Sequence, residues 1–109
     1  MIKTLPNKLL NGMCKYTTKL INDADINLHV DYDGFSALVF ERPKLTMYFI
    51  FQVDTEKKTF ILTTHYYNDH LELLFSETEN YKSLTVALNE ITYIIKTLTT
   101  LIDYRSIKK

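Results

Sequence analysis

Ile26-Asn27-Leu28-His29-Val30-Asp31-Tyr32-Asp33-Gly34-Phe35-Ser36-Ala37-Leu38-Val39-Phe40 is the stretch on which the fold turns. Ile26, Leu28, Val30 and Tyr32 alternate with Asn27, His29 and Asp31, the period of a half-buried strand. Asp33-Gly34 supplies the positive φ angles of a two-residue hairpin turn, and a second apolar run follows it. A turn of that length predicts Tyr32 opposite Phe35, Val30 opposite Ala37 and Leu28 opposite Val39.

Downstream, Leu45–Val53 is apolar at both odd and even positions, as a central strand would be. The polar segment Thr55-Glu56-Lys57-Lys58 predicts a return into a strand over Thr59–Tyr67, and Asn68-Asp69 a second tight turn into Leu71–Phe75. Each connection is too short for a crossover, so the five strands form an antiparallel meander.

Helices bracket the meander. Leu9, Met13, Tyr16 and Leu20, with Leu10, Thr17 and Ile21 beside them, recur at helical spacing after Pro6, and Lys8, Lys15 and Lys19 take another face. Asn22-Asp23 with Asp25 ends that pattern. At the other end Leu84, Ala87, Ile91, Ile94, Leu98 and Leu101 step by three and four, widened by Leu88, Ile95 and Ile102. Ser76 with Glu79 forms a candidate capping box, and Asn80 or Ser83 are alternative caps. The expectation is one α+β domain over residues 1–109, ordered α-β-β-β-β-β-α, with both helices on one sheet face and the last helix the most deeply buried element.

Propagating the hairpin registers sorts the side chains. One face, the expected core, collects Leu28, Val30, Tyr32, Phe35, Ala37, Val39, Met47, Phe49, Phe51, Phe60, Leu62, Tyr66, Leu71, Leu73 and Phe75. The other collects Leu38, Phe40, Tyr48, Ile50 and Ile61 among His29, Thr63, His65, Tyr67, His70, Glu72 and Leu74. With both helices on the first face, Leu38, Phe40, Tyr48, Ile50 and Ile61 become an exposed apolar patch, which on a soluble protein marks an interaction surface. The alternative, one helix per face, leaves no such patch. The loop at Pro43 is the sensitive point, since a one-residue slip exchanges faces beyond it.

Composition narrows the function classes. A chain of 109 residues with 46% hydrophobic content suits one core. Thirteen basic and thirteen acidic residues cancel, so no overall field draws in nucleic acid, anionic lipid or a charged substrate. A single cysteine, Cys14, has no disulfide partner within the chain, which fits a reducing compartment. The four lysines among residues 1–20 interrupt any signal-peptide run, and the longest apolar run, around Met47–Phe51, is far below the ~20 residues of a membrane helix. The expected location is the cytoplasm of the producing or host cell, with no membrane contact. Eleven lysines against two arginines, with few glycines and prolines, match an AT-rich genome such as that of a bacterium, phage or mobile element; eukaryotic parasites and viruses share the bias.

Motifs for chemistry are sparse. His65, His70 and Glu72 are the one candidate metal set: the predicted register puts Glu72 opposite His65 with His70 diagonal, and two imidazoles with a carboxylate ligate zinc or iron. Their spacing matches no established metal motif, and a His–Glu pair is ordinary surface chemistry. There is no G-x-S-x-G elbow, and only Gly12 and Gly34 could serve a phosphate loop, so neither nucleophilic catalysis nor a cofactor is implied. Cys14 reads as a small filler on a helix flank. Asp23, Asp25, Asp31 and Asp33 lack the spacing of a calcium loop. Lys3, Lys8, Lys15 and Lys19 make a weak case for nucleic acid. The reading these observations favour is a non-catalytic protein-interaction module, self-associating or binding another protein, of the inhibitor or immunity type found in phages and mobile elements. The alternatives are a small metal-dependent hydrolase using His65, His70 and Glu72, or a weak nucleic-acid binder.

Overall fold

The computed structural model describes residues 1–21, 27–31 and 37–107, with side chains through residue 98. Its elements are β1 (Ile2–Thr4), α1 (Asn7–Ile21), β2 (Leu28–Asp31), β3 (Ala37–Arg42), β4 (Leu45–Asp54), β5 (Thr59–Tyr67), β6 (Leu73–Tyr81) and α2 (Leu84–Ile107). The expected α+β order is present, preceded by one extra strand. Strands run β2-β3-β4-β5-β6, every pairing antiparallel, and β1 joins the far end of β4 through Ile2 opposite Asp54 and Thr4 opposite Gln52. Three residues are too few to show a period, which is why β1 leaves no trace in the pattern.

The turns follow their residues. Asp54 Oδ1 accepts hydrogen bonds from the backbone N–H of Glu56 (3.0 Å) and Lys57 (3.2 Å), and Lys58 takes a left-handed φ of 55° to close the four-residue loop. Those bonds hold the Asp54 carboxyl below its ordinary range, the Lys57 N–H contributing most. Pro43-Lys44 make a two-residue turn between Arg42 and Leu45, which pair. The Asp33-Gly34 turn and the helix end at Asn22-Asp23 and Asp25 lie outside the described residues, as do Tyr32 and Phe35.

Both helices cover one face. Leu10 and Met13 of α1 and Ala87, Leu88, Ile91 and Ile95 of α2 pack on Leu38, Phe40, Met47, Phe49, Phe51, Leu62 and Tyr66 in one core. The buried stripe of α1 runs through Leu10, Met13 and Thr17, so Leu9, Tyr16 and Leu20 sit on its exposed flank. Ser83 begins α2, its carbonyl accepting from Ala87 N at 3.3 Å, whereas Ser76 and Glu79 belong to β6 and form no capping box. Leu84, Ala87, Leu88, Ile91 and Ile95 form the expected stripe; Leu101 and Ile102 lie beyond the described side chains.

Two expectations are corrected. Burial is deepest in β3, where Ala37, Leu38, Val39 and Phe40 are all buried, and not in α2, whose outer face carries exposed Val86 and Tyr93. The register of β3 also differs by one residue: Asp31, not Val30, faces Ala37, so Leu28 pairs with Phe40 and Val30 with Leu38. Because side chains alternate, that step turns β3 over. Leu38 and Phe40 therefore face the helices, opposite Phe49 and Met47, and Ala37 and Val39 face away. At Pro43 the face assignment inverts back, so the allotment of β4 and β5 stands.

Candidate functional site

The uncovered face of the sheet is built from the alternate residues of β4 and β5. Tyr48 pairs with His65, Ile50 with Thr63 and Gln52 with Ile61, while Ala37 of β3 pairs with Ile50. A depression of about 440 Å³ opens over them, with Asp31 and Tyr67 at its margin and Ala37 in its floor. Three rings wall one side. Tyr48 and Tyr67 meet edge to face at 5.4 Å and 67°, and His65 stacks with Tyr67 at 6.2 Å and 13°. Edge-to-face packing fixes the two tyrosine rings beyond what their burial would do. His65 Nδ1 is shielded from solvent and has no hydrogen-bond partner among the described residues. Ala37 and Val39 are buried here without any covering layer, being small side chains between larger neighbours.

Of the residues expected in this patch, Tyr48, Ile50 and Ile61 do lie on the uncovered face, half-buried. Leu38 and Phe40 do not: both are essentially inaccessible, at 0% and 1%, beneath the helices. Tyr67 and His65 take their place in the site. The hairpin arithmetic that misplaced β3 is the reason, and an odd number of residues between Asp31 and Ala37 is the signal that separates the two outcomes.

The expected metal set is not brought together as a cross-strand cluster. Asn68 Oδ1 accepts from His70 N (2.9 Å) and Glu72 N (3.0 Å), and Leu71 takes φ 59°, so the chain makes a wider turn than Asn68-Asp69 alone. A register irregularity between Tyr66 and Tyr67 follows. His65 consequently faces Ser76, not Glu72, and the nearest carboxylate to the His70 ring is Asp69 at 3.7 Å. Among the described residues no three His, Cys, Asp or Glu side chains are placed to hold one metal ion. His29 lies on the edge strand β2, its Nε2 3.4 Å from Glu41.

Elsewhere, Cys14 is half-buried on α1 with Sγ 3.6 Å from the Leu28 carbonyl, and burial pushes its thiol pKa above the ordinary value. Lys8, Lys15 and Lys19 are exposed on α1, and Lys3 on β1. No helix among the described residues is long and apolar enough to cross a membrane. Comparison with protein-family models, curated proteins and solved structures finds no match.

Proposed function

We propose that this chain is a non-catalytic protein-binding module that uses the uncovered sheet face, with Tyr48, Ile50 and Tyr67 at the centre and Ile61 beside them. One observation carries the reading: both helices pack on the same side, so a face bearing two tyrosines and two isoleucines is left without a layer over it. Aromatic side chains bury large area at small entropic cost and dominate binding energy where they sit centrally. The first occupant to test is a second copy of the chain, in a two-fold dimer. The lysine-rich, arginine-poor composition fits an accessory protein of a phage or mobile element, acting in the cytoplasm by surface complementarity.

The double variant Ile50→Asp with Tyr48→Ser tests this by light scattering alongside circular dichroism. A smaller, folded species relative to the parent supports self-association through this face. Unfolding instead means that the face belongs to the core, which overturns the proposal. An unchanged, monomeric pair drops the dimer and leaves a different protein as the occupant.

A further inference from the structure

A second surface, independent of the face above, lies at the end of the sheet. Strand β6 pairs only with β5, and its other edge is unpaired among the described residues. It is long, nine residues, and every one before Tyr81 is exposed. Proteins protect such edges with short strands, prolines, lysines or covering segments, because free N–H and C=O groups template another strand. None of these guards β6: no proline, lysine or arginine occurs from Thr59 through Tyr81. The opposite edge, β2, has four residues.

Charge says what could add there. Phe75, Glu77, Glu79 and Tyr81 face the helix layer, since they pair with Tyr66, Thr64, Leu62 and Phe60. With Glu90 of α2, the two strand glutamates line a groove of about 320 Å³ between β6 and the helix. None of the three carboxylates forms an ion pair among the described residues. Their field adds to burial in pushing up the Tyr66 and Tyr81 phenols: Glu77 and Glu90 act on Tyr66, and Glu90, Glu79 and Glu77 on Tyr81. Inward-pointing charge is itself a barrier to strand addition, but only for strands that cannot neutralise it.

A second copy is such a strand. Two-fold antiparallel pairing centred on Glu77 sets Glu77 opposite itself, and centred on Thr78 it sets Glu77 opposite Glu79. Like charges directly opposite are destabilising. An extended segment carrying alternate basic side chains has the reverse effect, while half-exposed Leu73, Leu74 and Phe75, the last stacked on Tyr66 at 4.1 Å, offer apolar contact at the strand's start.

We propose that the free edge of β6 is a docking strand for an extended lysine- or arginine-bearing segment of a partner protein, which adds to the sheet and sets its basic side chains against Glu77, Glu79 and Glu90. Strand addition supplies affinity through the backbone, and the carboxylates supply selectivity.

The probe is a synthetic peptide alternating lysine and valine, with a glutamate-for-lysine counterpart, followed by amide hydrogen exchange on the full chain. The lysine peptide is expected to slow exchange of the β6 amides that point away from β5 by about tenfold or more. The glutamate peptide should leave them unchanged. Glu77→Lys with Glu79→Lys should abolish the protection, Glu77→Gln with Glu79→Gln should weaken it, and Ile50→Asp with Tyr48→Ser should retain it. Equal protection by both peptides, binding of the lysine peptide without protection of β6, or no protection at saturating peptide each overturns the proposal. Self-association of the parent that is lost on Glu77→Lys also overturns it, because the edge would then serve a second copy.

Discussion

Strand β4 presents two sides that the sequence hardly distinguishes and the fold treats differently. Met47, Phe49 and Phe51 are completely inaccessible beneath α1 and α2, while Tyr48, Ile50 and Gln52, on the same backbone, remain half-buried on the other side. Apolar content therefore identifies a central strand without identifying its covered face. What decides is where the helices come down, and both come down together. The side they leave is supported by a packed sheet, so its residues can change without removing the core.

The largest effect should come from opening the covered side. Phe49→Ala removes a fully buried ring and is expected to cost about 3–5 kcal/mol in denaturant unfolding, by lost transfer energy and the cavity left behind. A loss under 1 kcal/mol would mean that the helices do not seal this face.

Next comes the paired comparison of Leu38 with Ile50, residues that the hairpin arithmetic placed on one face. Leu38→Ala should cost about 2–5 kcal/mol, and Ile50→Ala distinctly less, since its side chain already meets solvent. Equal losses would restore the register with Leu38 and Ile50 on a common face.

A smaller effect of opposite sign is expected at Thr17. It is fully buried on α1 and its hydroxyl has no hydrogen-bond partner among the described residues. Thr17→Val keeps the shape and removes the unsatisfied group, so stability should rise by about 1 kcal/mol. A loss would mean that the hydroxyl is satisfied in solution.

The smallest effect is an alkaline one. Burial raises the Cys14 thiol above 9.0 and, with nearby carboxylates, the Tyr66 and Tyr81 phenols above 10.0. In each case the folded state holds its proton to higher pH than the unfolded chain. Unfolding then releases protons, so these groups lower stability as pH climbs through the unfolded values toward the folded ones, and contribute nothing below about pH 8. Unfolding midpoints measured from pH 8 to 11 should fall, and iodoacetamide should alkylate Cys14 more slowly in the folded protein than in urea.

Much of this was legible because it depends on local chemistry. Leu84 to Ile95 read as a helix since a stripe of that spacing can bury only by coiling, and Asp54 through Lys58 read as a loop because an aspartate can cap its own turn. Met47, Phe49, Phe51 and Leu62 were assigned correctly to the core face. The candidate site was legible in part, through Tyr48, Ile50 and Ile61. His65, His70 and Glu72 failed as a group for a local reason that spacing hides: Asn68 satisfies two backbone donors with its own side chain and widens the turn.

From the sequence alone come the element order, the antiparallel meander and the two apolar stripes, because period, turn residues and short connections act within a few positions. Only the tertiary structure decides which side of β3 is inward, since one residue in a connection reverses every side chain after it and no local energy records the difference. It likewise decides that β1 exists, held by pairing with Gln52–Asp54 rather than by its own three residues, and that β6 runs on to Tyr81 through Glu77 and Glu79. Those glutamates break the apolar alternation, yet they stay in the strand because the ladder with β5 continues through Thr64 and Leu62 to Phe60. A ladder rewards backbone groups whatever their side chains, and that reward is visible only once the neighbouring strand is in place.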